Sequence, residues 1–187
     1  MRLFIALEIP AAVRETLGKI TTPLKSESPG ARWSLPESMH VTLKFLGETN
    51  AQQLEAVRAA LPKIASPQAV TLNFRGIGFF PDEKRPRVMW CGVESSPNLF
   101  DLAARIENSL ASFGFKPEAR AYVPHITLAR LNSARHLEKL VGAAAPLKSY
   151  DFGAARESEF HLFESVLKPV GSEYKKLATF PFVKDTP

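Results

Sequence analysis

Apolar residues along the chain recur at two spacings, and each spacing predicts a different element. A run of five apolar residues at positions 3–7 predicts a strand. Pro10 then stands where a helix can begin, and the segment SESPGA at 26–31 breaks that helix. Between them the apolar residues recur at helical spacing, at Val13, Leu17, Ile20 and Leu24. We predict an amphipathic helix whose apolar stripe packs into the core.

Further along, the same spacings predict a second helix and two more strands. Asn50 and Gln53 have the spacing of a capping box, and Pro62 ends the helix that follows. Alternating apolar residues predict a strand over 70–80, and the turn sequence PDEKRP leads into a strand over 88–93. These two strands are expected to form a hairpin that joins two halves of the chain.

The second half repeats the element order of the first. After the strand at 88–93 comes a helix with one apolar face, formed by Leu99, Leu102, Ala103, Ile106, Leu110 and Phe113. A break at 116–117 ends it, and a short helix around 137–141 and a strand around 159–165 follow. The chain is expected to close with a hairpin that turns near 168–171.

One motif of the His-x-Thr type occurs twice, as HVTL at 40–43 and HITL at 125–128. Side chains alternate faces along a strand, so each His shares a face with its Thr while the aliphatic pair occupies the other face. The two histidines are 85 positions apart, and the same shift superposes Leu3 on Val88. We interpret this repeat as an internal duplication.

We therefore predict an α+β protein that forms a single bilobal domain over residues 1–187. Its two pseudo-symmetric lobes correspond approximately to 1–85 and 86–170, and a C-terminal hairpin completes the chain. Each lobe is an antiparallel sheet with helices on its outer face, and a central active-site cleft separates the lobes. A solenoid is disfavoured because its repeats are shorter and more numerous.

The composition limits the cellular location and the partners that we expect for this protein. The chain is 45% hydrophobic and 23% charged, and no apolar segment approaches the roughly 20 residues of a membrane span. We expect a cytoplasmic monomer without a membrane partner. The net charge of +5 and the pI near 9.4 favour anionic partners such as nucleic acid or phosphorylated small molecules. The single cysteine, Cys91, excludes an internal disulfide and is expected to be a small buried residue.

The paired motifs suit in-line displacement at phosphorus. A pseudo-twofold axis brings the two His/Thr faces to opposite sides of one cavity. A neutral His can then accept a proton from the attacking water, while a protonated His gives one to the departing oxygen. The threonine hydroxyls can hydrogen-bond the non-bridging phosphoryl oxygens. A 2′,3′-cyclic phosphate, or a phosphodiester with a neighbouring hydroxyl, is the substrate that this chemistry fits best.

With these motifs and their flanks, the chain resembles the two-histidine phosphoesterases, specifically the RNA 2′,3′-cyclic phosphodiesterases, also known as 2′-5′ RNA ligases. The resemblance rests on RLFIALEIP, MHVTLKFLGE, PHITLAR and ESVLKPVGSEYKKL. It implies hydrolysis of 2′,3′-cyclic phosphate to a 2′-phosphomonoester without a metal or other cofactor, and joining of RNA ends through 2′-5′ linkages. The implied partners are RNA ends with a 2′,3′-cyclic phosphate, or small cyclic nucleotides.

The resemblance also implies roles for five residues of this chain. His40 would be the proton donor and His125 the proton acceptor, while Thr42, Thr127 and Arg130 would hold the phosphate. The residues alone leave the two histidines equivalent, so the choice between acid and base rests on the resemblance.

Arg130 poses a geometric problem on a regular strand. It follows His125 by five positions, an odd number, which turns it away from the catalytic face. We expect the strand to end or bulge near Ala129, or the long side chain to curl round the edge. Phe45 stands at the corresponding place in the first half. It could stack on a nucleobase or lie in the core, and we favour the core.

Aromatic and histidine residues outside the motifs carry weaker expectations. Trp33, Phe79 and Tyr122 are candidates for stacking on nucleobases, and Tyr122 ranks first because it precedes the second motif by three residues. His136 and His161 lack a paired context, so surface or structural roles are expected for them.

Two other functions remain open from the sequence. An RNA-end binding module without turnover would use the same cleft, and salt-dependent RNA binding with no hydrolysis would distinguish it. A two-histidine metalloenzyme would need further ligands that neither motif supplies, and activity that depends on one added metal would distinguish it.

Overall fold

Two antiparallel sheets form the centre of the computed structural model, which describes residues 1–64, 68–132, 137–168 and 171–182. The strands are β1 (Arg2–Leu7), β2 (Arg32–Trp33), β3 (Val41–Glu48), β4 (Val70–Phe80), β5 (Val88–Ser95), β6 (His125–Arg130), β7 (Asp151–Glu157), β8 (Glu159–Lys168) and β9 (Gly171–Pro181). The first sheet has the order β3-β1-β8-β9, and the second sheet has the order β2-β6-β5-β4-β7.

Helices cover these sheets, so the predicted α+β class is confirmed. In the described part of the chain they are α1 (Ala11–Glu27), α2 (Ala51–Ala60), α3 (Asn98–Ala111) and α4 (Leu137–Ala144), with 3-10 turns at Pro36–Ser38, Leu61–Ile64 and Ala145–Leu147. α1 packs against β7 and α4, whereas α3 packs against α2 and β3. No helix among the described residues is long and apolar enough to cross a membrane.

Local sequence signals place the helix ends as predicted. The capping box of α2 is present, with the Gln53 backbone N–H donating to Asn50 Oδ1 at 2.8 Å and the Asn50 backbone N–H donating to Gln53 Oε1 at 3.2 Å. On α1 the predicted stripe is buried at Val13, Leu17 and Leu24. These ends and stripes fix which side of each helix faces the sheets.

The two sheets do not divide the chain at its middle. β4 lies in the predicted first half, yet it pairs with β5 and β7 in the second sheet. β8 and β9, close to the C-terminus, complete the first sheet beside β1. The boundary between the sheets therefore differs from the predicted boundary near residue 85, and the first sheet combines strands from both ends of the chain. The internal duplication itself stays a prediction.

Two short or polar strands are absent from the sequence prediction. β2 has only two residues, and β7 buries Phe152 among mostly exposed neighbours, so neither has a strong alternation of apolar and polar residues. The predicted C-terminal hairpin is confirmed, because β8 pairs with β9 up to Lys168 and Gly171. Pro169 and Val170 of the predicted turn lie outside the described residues.

Each strand of the first sheet has one face in the main core and one face turned away from it, which we call the cleft face. In the second sheet the same name is used for the face of β6 that carries His125, opposite the buried Ile126 and Leu128. In β1 the core face carries Leu3, Ile5 and Leu7, and the cleft face carries Phe4 and Ala6. The main core is continuous between the two sheets and the helices. The cleft face is therefore the surface on which a site can form without disturbing the core.

Candidate active site

The two His-x-Thr motifs lie on strands that meet where the sheets approach each other. β3 is an edge strand of the first sheet, and it contacts β6 of the second sheet. Near this contact the hydroxyl of Tyr122 donates a hydrogen bond to the carbonyl oxygen of Thr42 at 3.0 Å. The two predicted catalytic strands are thereby held side by side.

Both histidine rings are fixed in the same way by the chain that precedes them. Nδ1 of His40 lies 2.7 Å from the carbonyl oxygen of Ser38, and Nδ1 of His125 lies 2.7 Å from the carbonyl oxygen of Val123. Because a carbonyl oxygen only accepts, each Nδ1 carries a proton and donates it. The neutral ring therefore has its lone pair on Nε2, which can accept a proton and give it back.

Burial favours the neutral form of both rings. It lowers the pKa of His40 from 6.5 to about 4, while the bond to the Ser38 carbonyl opposes this shift and the charge of His125 adds to it. Burial also lowers the pKa of His125, opposed by the Val123 carbonyl and reinforced by the charge of Arg130. A positive charge on His125 thus disfavours a positive charge on His40, which suits a pair in which one ring is neutral and the other protonated.

Aromatic side chains pack against each imidazole on its own sheet. The ring of Phe4 lies 4.6 Å from the ring of His40, and Tyr174 meets His40 edge-on at 5.1 Å. Phe80 meets the ring of His125 edge-on at 5.1 Å. These contacts contribute to the burial that lowers the pKa values and restrict rotation of the rings.

Thr42 and Thr127 are half-buried on the same cleft faces as the histidines. Thr42 is opposite Ala6 in the first sheet, and Thr127 is opposite Trp90 in the second. Each hydroxyl is thus two residues along the strand from an imidazole, as the sequence predicts.

A β-bulge brings Arg130 to the cleft face. The pairing of β6 with β5 shifts between Thr127 and Ala129, so Leu128 and Ala129 are both buried. Arg130 then returns to the face that carries His125. Of the three alternatives expected for Arg130, the structure shows the bulge near Ala129.

β3 contains the matching irregularity. Its pairing with β1 shifts after Thr42, so Leu43 and Lys44 are both buried and Phe45 emerges on the cleft face, 61% exposed. The expectation that Phe45 lies in the core is therefore wrong, because it assumes regular alternation. Its ring centre lies 6.2 Å from that of Phe4 instead.

A cavity of about 920 Å³ opens beside the histidines and is lined from both sheets. Phe4 and Tyr174, which touch the His40 ring, form part of its wall, and so do Phe45 and Arg130. His40, Thr42, His125 and Thr127 are not among its lining residues, so the cavity adjoins the histidine pair through Phe4, Tyr174 and Arg130.

This combination of fold and site matches one protein family. The family model described as LigT like Phosphoesterase matches residues 7–90 and again residues 92–174. The chain belongs to the LigT-like phosphoesterases.

Individual LigT-like phosphoesterases resemble the chain along its whole length. A relative from Methanothermobacter thermautotrophicus, named RNA 2′,3′-cyclic phosphodiesterase, is 31% identical over 181 residues, covering 96% of this chain and 98% of the relative. The crystal structure of TT0787 of Thermus thermophilus covers 100% of both chains with a TM-score of 0.82 at 28% identity. That of E. coli LigT complexed with 3′-AMP covers 98% of both chains with a TM-score of 0.80 at 26% identity. The predicted family and fold are confirmed.

The other aromatic candidates of this phosphoesterase have different surroundings. Trp33 lines the cavity, whereas Phe79 is buried in the core. The ring of Tyr122 packs against the main core and lies 6.0 Å from Phe100, and burial raises the pKa of its hydroxyl. Because these contacts and the bond to Thr42 occupy Tyr122, base stacking by this residue stays a prediction.

Residues with expected structural roles are found in the interior. His161 is buried, with Nδ1 at 3.0 Å from Thr179 Oγ1, in keeping with the structural alternative, and His136 lies outside the described residues. Cys91 is buried as predicted, and burial raises the pKa of its thiol to about 12. Within the described ranges, no group of three or more His, Cys, Asp or Glu side chains could hold a metal ion.

Sequence reasoning did not single out three residues that the structure brings to this region. Tyr174 contacts His40, and Arg2 and Arg32 line the cavity. Tyr174 lies within the motif ESVLKPVGSEYKKL, which was the available signal. Arg2 is likewise the first residue of the motif RLFIALEIP, whereas no local pattern marks Arg32.

Proposed function

We propose that this phosphoesterase hydrolyses the 2′,3′-cyclic phosphate at an RNA end to a 2′-phosphomonoester. The observation that carries the proposal is the matched pair of imidazoles, His40 and His125, each anchored through Nδ1 and each presenting Nε2. The name of the relative from Methanothermobacter thermautotrophicus and the 3′-AMP bound to E. coli LigT support a nucleotide phosphate as the substrate.

The reaction needs two proton transfers and no covalent intermediate. The oxygen of a water molecule attacks phosphorus while its proton passes to Nε2 of His125. The bond from phosphorus to O3′ breaks, and the proton on Nε2 of His40 passes to O3′. The product carries a 2′-phosphate and a 3′-hydroxyl, and proton exchange with solvent restores both rings. The residues require no cofactor for these transfers.

The assignment of donor and acceptor is supported by the different surroundings of the two rings. Burial, with the positive charge of Arg130 as an added cause, lowers the pKa of His125 and keeps that ring neutral and able to accept a proton. Burial takes the pKa of His40 to about 4, so once protonated this ring is a strong donor to the departing oxygen.

Charge that builds up on the phosphoryl oxygens needs fixed donors in the transition state. In this proposal the guanidinium of Arg130 and the hydroxyls of Thr42 and Thr127 bind the non-bridging oxygens. They lie on the cleft faces that carry the two histidines, and the bulge at Leu128 is what makes Arg130 available.

The same residues can join RNA ends. When the nucleophile is the 5′-hydroxyl of a second strand, His125 accepts its proton and His40 again protonates O3′, leaving a 2′-5′ linkage. Since the imidazoles exchange roles in the reverse direction, the joining step is reversible, and water competes with the 5′-hydroxyl for the same phosphate.

Hydrolysis of an oligoribonucleotide that ends in a 2′,3′-cyclic phosphate tests the function. We expect turnover that persists in EDTA and gives only the 2′-monophosphate, identified by chromatography against 2′- and 3′-phosphate standards. A 3′-monophosphate means that O2′ leaves and contradicts the mechanism. RNA binding without turnover indicates an end-binding module, and activity lost in EDTA but restored by one metal indicates a metalloenzyme.

The rate is expected to follow a bell-shaped pH dependence with its optimum below pH 6.5. His125 must be neutral and His40 protonated, and the pKa of each ring is lowered in the free protein. The profile of kcat/KM therefore falls before neutral pH is reached. A bound phosphate raises both pKa values because its negative charge favours the imidazolium, so the kcat profile is displaced to higher pH.

A control for this profile is the folded fraction over the same pH range. The unfolded chain protonates these histidines near pH 6.5 and the folded chain only at lower pH, so acid lowers the stability. Circular dichroism separates this loss from the catalytic acid limb. A kcat/KM optimum at or above neutral pH contradicts the prediction.

A further inference from the structure

The cavity beside the histidines has an unbalanced positive charge. Among the described residues that line it, three are arginines, Arg2, Arg32 and Arg130, and none is acidic. Its volume of about 920 Å³ is near the top of the range of roughly 300–1,000 Å³ for small-molecule sites. The reacting phosphate of the proposed function uses one of these arginines, so charge and space remain for a second anionic group.

Arg32 and Arg130 are directly opposite each other on neighbouring antiparallel strands, β2 and β6. Like charges in this position repel, and an anion bound between them would offset that repulsion. Both side chains line the cavity, and no carboxylate of its described lining neutralises them. This pair therefore offers a favourable place for an anion.

Arg2 approaches the same space from the first sheet. It lies two residues before Phe4 on the same face of β1, about 7 Å farther along the strand, and Phe4 is in contact with His40. Burial raises the pKa of Tyr174, and the charges of both Arg130 and Arg2 act against that rise, so the two guanidinium groups act on one hydroxyl. Arg2 thus lies farther along β1 than the residue that contacts His40.

The ion pair that would compete with a phosphate for Arg2 is weak. Glu48 Oε1 lies 3.9 Å from Arg2 Nε, but the Glu48 side chain is 75% exposed. An ion pair of this kind contributes little in water and yields readily to a phosphate, which offers two oxygens to the guanidinium fork.

Two aromatic side chains line the cavity together with the three arginines. Phe45, 61% exposed, and Trp33 line the cavity from the first and the second sheet. Cationic side chains that follow a phosphate backbone, interleaved with aromatic rings on which bases stack, are typical of sites for single-stranded nucleic acid. A mononucleotide would leave most of this surface unused.

We propose that Arg2 and Arg32 bind the phosphodiester one nucleotide upstream of the reacting cyclic phosphate, so the preferred substrate is an RNA strand end and not a cyclic mononucleotide. This proposal rests on the proposed function for the position of the terminal phosphate. The terminal phosphate binds Arg130 and the threonines, the strand crosses the cavity, and the second phosphate lies between the two sheets.

The test compares substrates that differ by one charge. A 2′,3′-cyclic mononucleotide has one phosphate, a dinucleotide with the same end has two, and a dinucleotide with a methylphosphonate linkage has the same length but a neutral second group. For the natural protein we expect kcat/KM for the dinucleotide to exceed both others at least about tenfold, the value of a charge-assisted hydrogen bond.

Two variants assign this preference to the arginines. Arg2→Gln and Arg32→Gln are each expected to lower kcat/KM for the dinucleotide about tenfold and to leave the mononucleotide within about twofold. Arg58→Gln on α2, outside the cavity lining, makes the same change of charge and is the matched control. It should leave the ratio between the substrates unchanged.

Equal rates on mononucleotide and dinucleotide overturn the proposal, and so do variants that slow both substrates equally. Binding of a dinucleotide with a terminal 2′-monophosphate, measured by calorimetry, gives a readout that is independent of turnover. If the protein binds it through Arg2 and Arg32 but hydrolyses no substrate, the second-phosphate site stands and the proposed function fails. If hydrolysis occurs without a preference, the proposed function stands and this site fails.

Discussion

Replacing either histidine, as His40→Ala or His125→Ala, is expected to slow the opening of a 2′,3′-cyclic phosphate by about 10²–10⁴-fold. Each imidazole makes one proton transfer through Nε2, and neither can substitute for the other because each ring is held by its own Nδ1 bond. Because both transfers belong to one displacement, the double variant should lose less than the product of the two single losses. Steady-state rates on an oligoribonucleotide ending in a cyclic phosphate measure these changes.

The residual activity of each variant shows which ring does what. Without His125 the requirement for a neutral base disappears, so the acid limb of the pH profile should vanish. Without His40 the requirement for a protonated acid disappears, so the basic limb should vanish. If His40→Ala loses the acid limb and His125→Ala loses the basic limb, the donor and acceptor roles of the two rings are reversed. Full activity of either folded variant contradicts the mechanism. Circular dichroism and binding of a 2′-phosphate product verify that each variant is folded.

Substituting Lys44 by alanine is expected to lower the free energy of unfolding by about 3 kcal/mol. Lys44 Nζ forms an ion pair with Glu107 and donates to the carbonyl oxygen of Lys116 at 3.1 Å, with only 3% of its side chain exposed. Its loss leaves the Glu107 carboxylate, 23% exposed, without its cation. Since the total stability of a domain is about 5–15 kcal/mol, this is a large fraction, and urea unfolding measures it.

The matched control removes both charges. Lys44→Met combined with Glu107→Leu keeps the volume and leaves no charge unpaired, so it should recover most of the loss that Lys44→Ala causes. A double variant as unstable as the single one indicates that the ion pair is not what stabilises the protein here. The contributions are then the packing of Lys44 and the hydrogen bonds with the Lys116 carbonyl and the Glu118 N–H. Unchanged stability of Lys44→Ala contradicts the prediction.

Sequence periodicity was sufficient for the elements that bury a regular stripe. The capping box of α2 and the paired His-x-Thr strands are both local patterns, and both are present. β7 was not predicted because only Phe152 of its residues is buried. The strand has no alternation of apolar and polar residues, so its formation depends on its pairing with β4. That β4 belongs to the second sheet and β8 to the first was not predicted either, because strand pairing is set by tertiary structure.

Bulges mark the limit of arguments from alternation. The odd spacing of Arg130 gave a bulge as one of three alternatives. The same reasoning was not applied to Phe45, and a bulge in β3 moves this residue from the expected core to the cavity. Val41 and Ile126 are 85 positions apart, as the repeat predicts. Their pairing partners on the first strand of each half, Leu7 and Cys91, are only 84 positions apart. The two family matches nevertheless begin 85 residues apart, at 7 and 92, which supports the proposed duplication.

The first sheet combines strands that are synthesised early with strands that are synthesised late. β1 lies between β3 and β8, and β8 and β9 are synthesised last. Until they emerge, only the two-stranded ribbon of β1 and β3 supports His40, and β1 exposes a row of unpaired backbone groups that invites association with other chains. Because β9 carries Tyr174, the C-terminal hairpin completes both the pairing of β1 and the packing around His40.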